Sequence, residues 1–121
     1  MKTCLVVDDS DIVRKVAQRI LESLNFQTSE SGDGQEALES CKVSMPEAIL
    51  LDSSMPVMGT TDFLTSLRAL EDGGKPIVIY CATENDTGEI ARALTAGADD
   101  YVLKPFDRES IRAKLAASGL L

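Results

Sequence analysis

The chain has 121 residues, of which 12 are basic and 20 are acidic, and it contains no histidine. A chain of this length forms one domain around one core, so we predict a single domain over residues 1–121 without a fused output domain. The net charge of -8 argues against binding to nucleic acid or to an anionic membrane, and favours basic proteins or metal ions as partners. The absence of histidine removes the usual general base and the usual catalytic triads.

Cysteine usage and hydropathy indicate the compartment. The three cysteines, Cys4, Cys41 and Cys81, contain no CxxC pair, and without histidine they do not complete a zinc site. We expect these thiols to be buried and reduced, which is typical of a cytoplasmic protein. The first apolar run is too short for a signal peptide, and no stretch is long enough to span a membrane.

Predicted strands and helices alternate five times along the chain. Short apolar runs bounded by turn residues predict strands at residues 4–7, 26–31, 48–52, 76–82 and 101–103. Capping residues and helical periodicity predict that the helices begin at Ser10, Asp33, about Thr61, Asp86 and Asp107. Glu36 and Glu89 stand three residues after their caps, a spacing that predicts capping boxes. The alternation indicates a parallel sheet with helices on both faces and right-handed crossovers.

The first predicted helix carries an apolar stripe. Its apolar residues recur at intervals of three and four positions, namely Ile12, Val13, Val16, Ala17, Ile20, Leu21 and Leu24. A stripe of this period is typical of a helix that packs on a sheet through one face.

Acidic side chains follow two of the predicted strands. Asp8 and Asp9 come directly after the first strand, and Asp52 ends the third. In a parallel sheet of this kind the ligand site lies at the carboxyl ends of the strands, so we expect these three carboxylates to meet there. Three negative charges in one cleft need either protons or a cation. Because the ligands are all oxygens, Mg²⁺ is favoured over zinc.

Other polar residues end the fourth and fifth strands, so Thr83 and Lys104 are expected at the same edge. A carboxylate beside a metal ion and an ammonium group can attack phosphorus and form an acyl phosphate, while Lys104 neutralises a phosphoryl oxygen. Taken singly, each aspartate is also explained as a turn residue or a helix cap, and the lysine as a solvated side chain. The prediction depends on the joint pattern.

Three motifs resemble the receiver domain of two-component response regulators, and the resemblance covers the whole chain. They are Val6-Val7-Asp8-Asp9-Ser10 and the segments 50–58 (LLDSSMPVM) and 97–106 (GADDYVLKPF). The resemblance implies an α/β, flavodoxin-like fold, a doubly wound parallel sheet of five strands in the order 2-1-3-4-5.

The resemblance also implies roles for single residues. Asp52 would be the phosphoacceptor, and Lys104 would pair with the phosphoryl group. Mg²⁺ would be held by Asp8, Asp9, Asp52 and the backbone carbonyl of Ser54. A cis peptide bond is implied before Pro105, and Tyr101 matches the aromatic residue that changes rotamer on activation.

The sequence departs from the family at two places. The family usually has Asp or Asn and then Gly after the second methionine, whereas this chain continues from Met58 with Gly59, Thr60 and Thr61. We expect a reshaped loop in which Gly59 supplies a positive φ and one of the threonines caps the next helix. The family's switch serine or threonine stands 30 residues after the acceptor, a position that Ala82 occupies here. Thr83 is one residue late, which on a strand directs its side chain elsewhere.

The predicted function is that of a stand-alone response regulator. A histidine kinase or phosphotransfer protein would phosphorylate Asp52. The chain would then signal to a downstream protein through the fourth helix and fifth strand, around Arg92 and Tyr101, or act as a phosphate shuttle or sink. We expect a monomer that is not an enzyme, with at most slow self-dephosphorylation.

Two alternatives remain open at this point. Ala82 and the altered loop are compatible with an interaction module that works on the same scaffold without phosphorylation. The segment Asp9-Ser10-Asp11-Ile12-Val13 also fits the Asp-x-Asp-x-Val pattern of haloacid-dehalogenase-like phosphatases, with Asp11 as the acid/base. The chain is short for that fold, and Asp11 is equally explained as a negative charge in the first turn of a helix.

Overall fold

The computed structural model describes residues 1–83 and 86–121. Five parallel strands form one sheet: β1 (Thr3–Val7), β2 (Gln27–Ser31), β3 (Ala48–Asp52), β4 (Ile77–Ala82) and β5 (Asp100–Leu103). The strand order is β2-β1-β3-β4-β5, which confirms the predicted doubly wound, flavodoxin-like topology. The order reverses between β1 and β3, so the carboxyl ends of these two strands lie side by side.

Five helices cover the two faces of the sheet. They are α1 (Asp11–Ser23), α2 (Gly34–Val43), α3 (Thr60–Ala69), α4 (Thr87–Ala96) and α5 (Arg108–Ala117). One core cluster joins the sheet to α2, α3 and α4, and a second joins it to α1 and α5. Among the residues described, no helix combines the length and the apolar character that crossing a bilayer requires.

Side-chain caps start four of these helices at the predicted residues. The side chains of Ser10, Asp33, Asp86 and Asp107 each accept a backbone N–H from three residues further on. The reciprocal bond of a capping box is formed at Asp107, where the Ser110 hydroxyl accepts the Asp107 N–H. The Glu89 carboxylate instead accepts the hydroxyl of Tyr80 on β4. The capping-box spacing therefore located the start of α4 but not the partner of Glu89.

The central strand is buried along its whole length. All five residues of β3 are buried, including Asp52, because helices cover both faces of the sheet. Side chains alternate between the two clusters, so that Ile49 and Leu51 face α2 to α4 while Leu50 faces α1 and α5. The three cysteines are free and buried, as predicted.

The apolar stripe of α1 is only partly buried, and here the sequence was misleading. Ala17 and Leu21 are buried, whereas Ile12 is 76% exposed and Val16 is 47% exposed. The two exposed residues lie four positions apart and so share one side of the helix, next to the buried side. Periodicity identified an apolar face of α1 that is wider than the part of the helix covered by the sheet.

At the amino end of the sheet, one arginine joins two connections, the one between α3 and β4 and the one between α4 and β5. The guanidinium of Arg68 on α3 donates to the carbonyl oxygens of Gly73 and Pro76, both at 2.9 Å, and to that of Gly97 at 2.6 Å. It also forms an ion pair with Asp99 at 2.9 Å. Gly97 has a φ of 134°, and a Cβ there would lie 2.9 Å from the Arg68 Cγ, so both conformation and space require glycine.

Candidate functional site

Three carboxylates meet at the carboxyl edge of the sheet. Asp8 and Asp9 follow β1, Asp52 ends β3, and each offers an oxygen within 4.8 Å of the others. Asp8 and Asp52 are buried, whereas Asp9 is exposed. The structure therefore brings together the three acidic residues that the sequence placed at this edge.

Lys104 follows β5 and lies between two of these carboxylates. Its Nζ is 2.8 Å from Asp8 Oδ2 and 2.5 Å from Asp52 Oδ1. The backbone N–H of Lys104 donates to the carbonyl of Ala82 at 2.8 Å, which fixes where the side chain begins. The peptide bond between Lys104 and Pro105 is cis, the isomer that the resemblance implied.

The charges of the site are unevenly balanced. Burial raises the pKa of Asp52, and the negative charge of Asp8 raises it further, while the hydrogen bond from Lys104 lowers it without offsetting the rise. Burial lowers the pKa of Lys104, but hydrogen bonds to Asp52 and Asp8 outweigh it and the net direction is upward. One ammonium faces three carboxylates, so the site retains an attraction for a further cation.

Backbone contacts fix Asp8. Its carboxylate accepts the Ser10 N–H at 2.9 Å, and its carbonyl accepts the Arg14 guanidinium at 2.6 Å. Its own N–H donates to the carbonyl of Ser31 on β2 at 3.1 Å. The acidic side chain is therefore held in place by β2 and by the first turn of α1.

The loop from β3 to α3 differs from the expectation. Gly59 has a φ of -64° and is the N-cap of α3 without a side-chain cap, whereas Val57 has a φ of 71°. Thr60 is the first helical residue, and its hydroxyl donates to the carbonyls of Asp52 at 3.1 Å and Ser53 at 3.4 Å. The prediction of a positive φ at Gly59 and of a threonine cap was wrong, because the chain turns two residues earlier and Thr60 binds back to the end of β3.

Two of the three proposed switch positions, Ala82 and Thr83, lie at the same edge, whereas Tyr101 lies within β5 opposite Tyr80. Ala82 is fully buried at the end of β4 and carries no hydroxyl, while Thr83 is exposed just beyond the strand. Tyr101 on β5 is half-buried, and the Nζ of Lys114 lies 5.0 Å from the centre of its ring. Lys114 also pairs with Asp100 at 2.9 Å. The sequence did not predict this cation–π contact, because its partners lie on different elements.

An apolar groove lies beside the carboxylates. We call it the α1 groove. It has a volume of about 330 Å³ and is lined by Ile12, Val13, Val16, Thr83, Lys104, Pro105 and Phe106. The exposed residues of α1 form one wall, and the segment after β5 forms the other. A protein that binds in this groove would lie next to Lys104 and therefore next to the acidic site.

The sequence model of a family described as "Response regulator receiver domain" matches residues 4–116. The chain belongs to this family. Among curated relatives, the DNA-binding response regulator MtrA of Mycolicibacterium smegmatis is 38% identical over 113 residues, which is 93% of this chain and 48% of MtrA. The chain thus spans about half the length of the curated relatives it matches.

Solved receiver structures have the same fold. The chemotaxis response regulator CheY4 of Vibrio cholerae is 26% identical, with a TM-score of 0.91 over 97% of this chain and 98% of CheY4. The receiver domain of the sensor histidine kinase PA1611 from Pseudomonas aeruginosa is 28% identical, with a TM-score of 0.88 over 96% of this chain and 95% of that domain. That structure is described as having a magnesium ion coordinated in its active-site cleft.

The phosphatase alternative is not supported. The side chain of Asp11 is 80% exposed and pairs with Arg14 on the same helix. Asp11 is therefore an exposed residue in the first turn of α1.

Proposed function

We propose that the chain accepts a phosphoryl group on Asp52 from a phosphorylated histidine of another protein. The observation that carries the proposal is the contact of the Lys104 ammonium with both Asp52 and Asp8, with Asp9 at the open side of the same site. A buried carboxylate beside a fixed positive charge is arranged for attack on a charged phosphorus centre. Turnover of a substrate is not part of this role, because the phosphoryl group stays on the protein as the signal.

The transfer forms one bond to phosphorus and breaks another. An oxygen of the Asp52 carboxylate attacks phosphorus, the bond between phosphorus and the donor imidazole nitrogen breaks, and the imidazole keeps the electron pair and takes a proton from water. Lys104 moves from two carboxylates to one carboxylate and a phosphoryl oxygen, which preserves its ion pairing. The α1 groove limits the directions from which the donor can approach.

We assign the cation to the three carboxylates. Their oxygen-only ligand set suits Mg²⁺, which usually binds through one or two carboxylates, several waters and a phosphate. Asp8, Asp9, Asp52 and the Ser54 carbonyl would hold it, and when bound it neutralises phosphoryl oxygens. The description of PA1611 with magnesium supports this assignment.

Phosphorylation of the wild-type chain tests the proposal directly. We expect incubation with Mg²⁺ and acetyl phosphate to add one phosphoryl group, seen by intact-mass measurement, and expect EDTA to prevent it. A mass that stays unchanged with Mg²⁺ would favour the alternative in which the scaffold binds partners without phosphorylation. Ala82, which lacks the switch hydroxyl, is compatible with that alternative.

Two exposed surfaces suit two kinds of partner. The α1 groove adjoins the acidic site and is apolar, so it suits the helices of a histidine kinase or phosphotransfer protein. The face of α4 and β5 presents Arg92, Tyr101, Leu94 and Leu103, the two leucines being 40% and 39% exposed. We assign this second face to the binding of a downstream protein. Without a bound partner, we expect the chain to be a monomer.

A charge placed in the α1 groove should separate docking from chemistry. We expect Ile12→Asp to slow transfer from a histidine phosphotransfer protein by at least roughly tenfold, since a buried apolar contact is worth about 1.5–3 kcal/mol. Phosphorylation by acetyl phosphate should remain unchanged. Val43→Asp is the matched control, because Val43 is 88% exposed on α2.

Equal slowing with both donors would contradict the docking role of the groove. The assignment of the downstream face fails if Ile12→Asp abolishes binding of a phosphorylation-dependent target while substitution of Arg92 leaves that binding intact.

A further inference from the structure

A buried tyrosine lies close to the position where the family has its switch hydroxyl. Tyr80 stands two residues before Ala82 on β4 and is 2% exposed, and both belong to the core cluster on the α2 to α4 side. Its hydroxyl donates to the carboxylate of Glu89 in the first turn of α4. This bond ties the central sheet to the helix that carries Arg92.

The same hydroxyl lies next to the phosphoacceptor loop. Ser53 directly follows Asp52, and its N–H donates to the carbonyl of Cys81 at 3.1 Å. Ser53, Tyr80 and Glu89 all line one cleft of about 320 Å³ between this loop and α4. Burial raises the pKa of Tyr80 and the carboxylate of Glu89 raises it further, so the phenol stays protonated and donates to Glu89.

Ala82 leaves the usual connection without a hydroxyl group. The alanine methyl has no hydrogen bond to offer a phosphoryl oxygen, and Thr83 is exposed and lines the α1 groove. Two hydroxyl groups and one carboxylate nevertheless line the cleft between the Asp52 loop and α4, namely those of Ser53, Tyr80 and Glu89.

We propose that Ser53, Tyr80 and Glu89 couple phosphorylation of Asp52 to the position of α4 in place of a hydroxyl at residue 82. This inference rests on the proposed function. Before phosphorylation the phenol holds Glu89, and Ser53 lines the same cleft next to Asp52. A phosphoryl group on Asp52 draws the Ser53 side chain toward it, the phenol readjusts to the changed cleft, and Glu89 moves with the first turn of α4. The two states differ in their hydrogen bonds, which is the differential interaction that such a shift requires.

Tyr80→Phe tests the link because it removes one oxygen and keeps the ring. We would compare backbone amide shifts with and without beryllofluoride and Mg²⁺. We expect the response at Arg92 and Leu94 to fall at least twofold in the variant, with the response at Asp9 and Lys104 kept. Thr87→Val, which removes an exposed hydroxyl from the same turn of α4, should respond as the wild type.

Glu89→Met, which removes the acceptor oxygens and keeps the length of the side chain, provides the second test and decides alone if Tyr80→Phe does not fold. It should reduce the α4 response as Tyr80→Phe does, and the double variant should show no further loss. A full α4 response in either single variant overturns the inference while leaving the proposed function standing. No response anywhere in the wild type, including at Asp9, overturns both.

Discussion

Replacing Asp52 with asparagine is expected to abolish phosphorylation by acetyl phosphate and by a histidine donor. The amide is a poor nucleophile, and it removes one of the three carboxylates that attract the cation. Intact-mass measurement after incubation with Mg²⁺ would show no added phosphoryl group.

Asp33→Asn is the control for this substitution. Asp33 caps α2, and asparagine caps helices about as well as aspartate, so we expect this variant to be phosphorylated as the wild type. A mass adduct in Asp52→Asn equal to that of the wild type would place the acceptor elsewhere.

The Asp52→Asn variant should be more stable than the wild type at neutral pH when EDTA is present. Burial raises the pKa of Asp52 above its ordinary value of 3.8. When the pKa of a carboxyl group is higher in the folded than in the unfolded state, the group stabilises the fold at any pH below its unfolded-state pKa. That stabilisation is lost as the pH rises through its folded-state pKa. The advantage of asparagine should therefore appear as pH increases from about 4 to about 7, in urea unfolding at each pH. A stability difference between Asp52→Asn and the wild type that increases toward acidic pH would contradict the effect of burial on Asp52.

Replacing Lys104 with methionine is expected to have the largest effect on stability. The ammonium is the hydrogen-bonded cation of two buried carboxylates, and its loss leaves Asp8 and Asp52 facing each other. Removing one partner of a buried ion pair costs about 3–5 kcal/mol, and we expect a loss near the lower limit in EDTA because the site opens to solvent at Asp9. Mg²⁺ should restore most of it by supplying positive charge.

Transfer should also become slower in this variant. A hydrogen bond to a charged group is worth about 1.5–3 kcal/mol, so we expect phosphorylation by acetyl phosphate to slow by at least roughly tenfold. Lys75→Met, at an exposed lysine, is the control. Wild-type stability in EDTA together with a wild-type rate would show that Lys104 neutralises neither the carboxylates nor the phosphoryl group.

Local rules predicted the features that local chemistry determines. Ser10, Asp33, Asp86 and Asp107 cap helices because each lies just before a helical period. The convergence of the three carboxylates followed from alternating strands and helices, since parallel strands end at one edge. Strand order itself came from the resemblance, because no local rule decides it.

Features that depend on distant neighbours were not predictable in this way. The periodicity of α1 does not say how much of its apolar face the sheet covers, so Ile12 appeared to belong to the core although it is 76% exposed. Glu89 matched a local capping pattern, yet a tyrosine nine residues earlier binds its carboxylate. The left-handed residue of the β3 to α3 loop is Val57 and not Gly59, because a glycine permits a positive φ without requiring it.

The contacts of Arg68 make the two ends of the sheet mechanically unequal. Its guanidinium holds the connections at Gly73, Pro76 and Gly97 to α3 through charge-assisted bonds, while the opposite end contains the loops after Asp52 and Lys104. The carboxyl end of α4 is therefore held to α3 through the carbonyl of Gly97, at the end of the sheet away from Asp52. Displacement of α4 would then be a tilt about its anchored carboxyl end at Gly97, so that its first turn, near Glu89, travels farthest.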